Sequence, residues 1–96
     1  MKKLLLITAL LSAPTYAEDD FCTQMYNMGK VVMDARQKGV PMPDMIKTLP
    51  DDISEFLKPI VISAYEHPQY STPQIKQKTI NDFADDLYLA CVKEVG

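Results

Sequence analysis

FCTQMYNMGKVVMDARQKGVP, residues 21–41, is the stretch whose reading decides the fold. Phe21, Met25, Met28, Val32 and Ala35 recur at three- and four-residue spacing, which places them on one stripe of a helix. Glu18, Asp19 and Asp20 supply a cap and favourable charge at its start. Arg36 and Lys38 supply the opposite charge in its last turn. Gly39 then Val40-Pro41 is a stop signal, because glycine takes the left-handed position after a helix and proline cannot continue it. A helix with both ends written this clearly, and no strand-like alternation elsewhere, predicts an all-α chain.

Reading outward, Cys22 opens this helix and Cys91 lies near the end of the chain. The last helix is expected over 73–95, with Thr72 as N-cap and Pro73 in the first turn. Ile80, Phe83, Ala84, Leu87 and Cys91 share one face; Lys78, Asp82, Asp85, Asp86 and Lys93 share the other. A Cys22–Cys91 disulfide would then tie the end of the last helix to the start of the first, and the two can run antiparallel. Closing a loop of about 70 residues stabilises by roughly 4 kcal/mol in the chain-entropy model. Such a bridge is structural, since redox-active pairs are held close in sequence as CxxC.

Between these helices, residues 41–49 read as a linker with one helical turn at 44–48, ended by Pro50. A further helix is expected from Asp51 or Asp52, with Asp52 and Glu55 at capping-box spacing. Its stripe is Ile53, Phe56, Leu57, Ile60, Val61 and Ala64. Pro59 removes the amide that would bond the Glu55 carbonyl, so a kink or a break into two pieces is expected. His67-Pro68 ends this helix. The expected architecture is a small disulfide-closed bundle of three to five helices.

Residues 1–17, MKKLLLITALLSAPTYA, read as a secretory signal peptide: a basic start, an apolar run too short to span a bilayer, and small residues at the cleavage positions. The expected domains are thus a cleaved leader, 1–17, and one helical domain, 18–96, working in the periplasm. Removing 17 of 96 residues leaves 79, which carry 8 basic and 13 acidic side chains. That acidic balance argues against nucleic acid, whose phosphates need lysine and arginine. It argues equally against an anionic membrane surface, and no membrane insertion is expected after cleavage. A domain this small needs a staple, and an oxidising compartment permits one.

The residues that carry chemistry are few. His67 is the sole histidine and sits beside Pro68, where capping free helix carbonyls is its simplest role. With both cysteines in a disulfide, no nucleophile–base pair is apparent. No glycine-rich phosphate loop is present either, so no catalytic residue, resident metal or cofactor is assigned. Met25, Met28, Met33, Met42 and Met45 crowd together, two pairs of them spaced MxxM. Thioethers suit Cu(I), which keeps a copper or small-ligand carrier as a lesser reading. The favoured one places Met33, Met42 and Met45 along an adaptable groove between the first helix and the linker. Ile62 and Leu89 fall at outward positions. Tyr65 and Tyr70 flank the His67-Pro68 turn and, with His67, form a candidate partner-binding site. Asp82, Asp85 and Asp86 form an acidic face suited to steering a basic partner.

The segments FCTQMYNMGKVVMDARQKGVPM and ISAYEHPQYSTPQIKQKTINDFADDLYLAC resemble a group of small secreted, two-cysteine, all-helical bacterial and prophage-encoded proteins. ARQKGV, AYEHPQYST and DFADDLYLAC carry the likeness, which spans nearly all of the mature chain. It implies a helical, disulfide-bonded secreted domain and lends no functional residues. A looser, architectural likeness is to acid-activated periplasmic chaperones, although few residues follow Cys91 where those carry a charged tail. The expected function is a non-enzymatic protein-binding module of the inhibitor, immunity or phage-exclusion type, acting on an envelope or incoming phage protein. The alternative is an acid-activated chaperone: near pH 3 most carboxylates are neutral, and the remaining positive charges would loosen the bundle.

Overall fold

The computed structural model describes residues 21–95. The expected leader and the acidic cap at 18–20 lie outside the described residues. Four helices follow one another: α1 at 21–37, α2 Met42–Lys47, α3 Ser54–Tyr65 and α4 Pro73–Val95. The described residues contain no strand. The chain is a small, all-α, disulfide-closed bundle.

The end of α1 forms as the sequence predicts. Gly39 has φ 85°, its amide donates to the Arg36 carbonyl (3.1 Å), and the Val40 amide donates to the Ala35 carbonyl (3.0 Å). This pair of bonds is a Schellman motif, and Ala35 and Val40 both pack against the core beside it. At the start of α4, the Ile75 amide donates to the Thr72 hydroxyl (3.4 Å), with Pro73 in the first turn.

α1 and α4 are antiparallel along their whole shared length. Cys22 is bonded to Cys91 with Cα atoms 5.5 Å apart, and the Tyr26 ring meets the Tyr88 ring edge-on. At the other end of α1, the Lys76 ammonium donates to the Gln37 carbonyl. Gly29 sets the spacing between them: a Cβ there would lie 2.5 Å from Leu87 Cδ1 and 3.3 Å from the Ala84 Cα. The core gathers Val32 and Met33 from α1, Met45 from α2, Leu57, Ile60, Val61 and Ala64 from α3, and Ile80 and Phe83 from α4, with Leu49 beneath.

The buried arc of α1 is wider than one stripe. Val32, Met33 and Gln37 are all fully buried, because α1 has neighbours on two sides, whereas Phe21 stays 45% exposed. Met33 and Met45 are therefore core residues and do not flank a groove at the linker, correcting that expectation. α2 begins two residues earlier than expected, after Pro41 as its N-cap. α3 begins later: the Ile53 amide is taken by the Pro50 carbonyl (3.2 Å), and Ile53 becomes the N-cap with no side-chain cap bond. Asp52 thus does not cap this helix. Pro59 does not divide it either, since Glu55 and Pro59 are both exposed and the carbonyl without a donor can bond water.

Candidate functional site

The turn between α3 and α4 is locked from inside. The Gln37 side chain is 1% exposed and makes the central links. Its amide nitrogen donates to the Pro68 carbonyl (2.9 Å) and more weakly to Met33 Sδ (3.6 Å). Its amide oxygen accepts from the Tyr70 backbone amide (2.9 Å). Arg36 Nε donates to the His67 carbonyl (2.9 Å), and the guanidinium lies over the Tyr65 ring. One pair of consecutive α1 side chains thus reads the backbone of 67, 68 and 70.

Two of the candidate side chains in this turn spend their polar atoms within the chain. The Tyr65 hydroxyl donates to the Val40 carbonyl (2.7 Å). Burial pushes its pKa above 10.0, the Arg36 charge pulls it partly back, and Asp44 adds a smaller push upward. His67 Nδ1 lies 3.0 Å from the Ser63 carbonyl, so that nitrogen carries the proton, and the ring meets Phe83 edge-on. Its capping role is the one expected. Tyr70 is half-buried and enters this network through its backbone.

Asp82, Asp85 and Asp86 are exposed on α4, as the pattern predicts. Asp82 pairs with Lys78 at 2.7 Å, and this bond holds the Lys78 ammonium above its usual pKa. Asp85 lies in a shallow hollow with Thr23, Tyr26 and Tyr88, and Asp86 in another with Leu89 and Lys93. Ile62 and Leu89 are exposed, as their positions imply.

An apolar hollow lies elsewhere. It is a groove of about 330 Å³ between the first turns of α1 and the start of α3. Phe21 and Phe56, 45% and 51% exposed with ring centroids 6.2 Å apart, stand beside it. Met25, Met28 and Leu57 line it, together with Ile53 and Gln24. The disulfide at Cys22 fixes the wall next to Phe21. Phe21, Met25, Met28, Ile53, Phe56 and Leu57 all appear in the helical stripes of the sequence, but no local pattern tells a covered stripe position from an open one.

No described helix is long and apolar enough to cross a membrane, and no group of three or more histidine, cysteine, aspartate or glutamate side chains is placed to hold a metal ion among the described residues. Comparison with protein-family models, curated proteins and solved structures finds no match to this chain.

Proposed function

We propose that this chain is a non-enzymatic protein-binding module of the bacterial periplasm, docking on an envelope protein or an incoming phage protein as inhibitors and immunity proteins do. The observation that supports this reading is the apolar groove. Two phenylalanine rings left half in water forgo burial energy of about 25 cal/mol per Å² of apolar surface. Contiguous apolar surface of this kind is typical of interaction sites. The scaffold is suited to docking, because a covalent staple holds the ends of α1 and α4 together one residue from Phe21 and so preorganises the groove wall.

The test is affinity capture from envelope extract at pH 7 and pH 3, with the oxidised protein as bait, followed by reconstitution of any captured species from purified components. A stoichiometric complex with one partner at pH 7 supports the module. Many unrelated proteins retained only at pH 3 would replace it with the acid-activated chaperone. A failure to form any complex at either pH would sink both.

A further inference from the structure

Resting on the reading of this chain as a binding module, we infer that the groove between α1 and α3 takes the apolar face of an amphipathic helix whose flanks carry lysine or arginine. Three observations carry this: the groove's lining, its backbone surroundings and the charge around it.

The lining is aliphatic, aromatic and thioether, with Gln24 the one polar residue. A volume of about 330 Å³ accommodates a few bulky side chains, which a helix presents together at i, i+3 and i+4. Met25 and Met28 are unbranched and adapt to different aliphatic shapes. Past the uncapped first amides of α3, the groove walls are helices whose backbone groups bond within α1 and α3. An extended segment pressed into it would bury N–H and C=O groups without partners, whereas a helix brings its own backbone bonds.

The charge around the groove is negative. Asp51 and Asp52 directly precede Ile53, Glu55 directly precedes Phe56, and all three acidic residues are exposed. Lys58, three residues after Glu55, is paired with it at 3.0 Å. Because no side chain caps α3, the carboxylates of Asp51 and Asp52 are not used to satisfy its first amides. An acidic lip on the α3 side of an apolar floor favours a partner with the converse pattern. It disfavours a second copy, which would bring the same carboxylates to the same lip in a two-fold pairing.

The test uses the oxidised protein and three designed peptides: an amphipathic Leu/Lys helix, the same helix with glutamate replacing lysine, and a scramble of the first. Binding is measured by fluorescence anisotropy at low salt and mapped by amide chemical shifts. The Leu/Lys helix is expected to shift Phe21, Met25, Met28 and Phe56, and to bind at least roughly tenfold tighter than the other two. Phe56→Ser is expected to weaken it by roughly tenfold or more. The combined Asp51→Asn, Asp52→Asn and Glu55→Gln variant, which touches no core residue, should weaken it several-fold and flatten its salt dependence.

Equal binding of all three peptides, or shifts confined to another face, overturns the inference. So does occupancy of the groove by octanoate or octyl glucoside with no peptide binding. A dimer that dissociates on Phe56→Ser overturns it in favour of a second copy. If a partner captured from the envelope binds the Phe56→Ser and carboxylate variants as tightly as the parent, this inference falls while the binding-module reading stands.

Discussion

Replacing Gln37 by methionine isolates what its amide does for the fold. The substitution keeps an unbranched side chain of similar volume in a site that is 1% exposed. It deletes the bonds to the Pro68 carbonyl and the Tyr70 amide, both 2.9 Å. A neutral hydrogen bond contributes about 1 kcal/mol net, so the loss is about 2 kcal/mol. Pro68 is exposed and Tyr70 half-buried, and either backbone group left sealed from water would add to this loss. For a domain of this size the expected fall in melting temperature is about 8–16 °C, measured by circular dichroism on the oxidised protein. Gln37→Glu adds a pH signature. A buried carboxyl favours its neutral form, which still donates to Pro68, so its folded-state pKa lies above the unfolded value of about 4.3. The variant should therefore be most stable below about pH 4 relative to the parent, and lose stability as pH rises through the folded-state pKa. A melting temperature for Gln37→Met within about 3 °C of the parent would refute the idea that this side chain locks the α3–α4 turn.

Four further outcomes are expected. Tyr65→Phe removes the donor to Val40 and should cost about 1 kcal/mol in thermal unfolding. Because the folded state raises the Tyr65 pKa, the tyrosine's contribution is complete below pH 10 and lost as pH rises through the folded value; the Phe variant should lack that alkaline fall. Cys22→Ser with Cys91→Ser should lose about 4 kcal/mol in denaturant titration, and with it the ordered wall beside Phe21. Gly29→Ala gains about 1 kcal/mol of helix propensity but overpacks against Leu87 and Ala84 by about 1–3 kcal/mol, so a net destabilisation is expected in the same titration. Reversing Asp82, Asp85 and Asp86 to lysine should slow association with a basic partner at low salt, measured by stopped flow, and unchanged rates would remove their steering role.

Punctuation is the most legible part of the fold. Gly39-Val40-Pro41 and Thr72-Pro73 each act through a local conformational constraint, and the structure places helix ends at both. The cysteine pairing is legible because a small chain with two widely spaced cysteines has one intramolecular choice. Pairwise packing is not. Gln37 reads as one more polar residue in a charged helix end. Its burial depends on residues 67–70 folding back over α1, although its spacing four residues after the buried Met33 is the one local hint. Gly29 reads as a weak point in a helix until α4 is laid against it. Spacing sends Phe21 to the core stripe and Met33 to a surface groove, and the structure reverses both, because burial depends on what packs opposite. The α3 start differs because Pro50 and Ile53 close a turn that makes Ile53, not Asp52, the N-cap.

The most direct measurement is the affinity of the reconstituted envelope complex for two matched surface variants, each shown to be folded by its melting curve. Phe21→Ser with Phe56→Ser removes the exposed rings of the groove, and Ile62→Ser with Leu89→Ser removes exposed aliphatic groups elsewhere. Loss of binding by roughly a hundredfold in the first variant, with the second unchanged, is the expected result. Equal affinity for the parent and the Phe21/Phe56 variant would contradict the groove as the docking site.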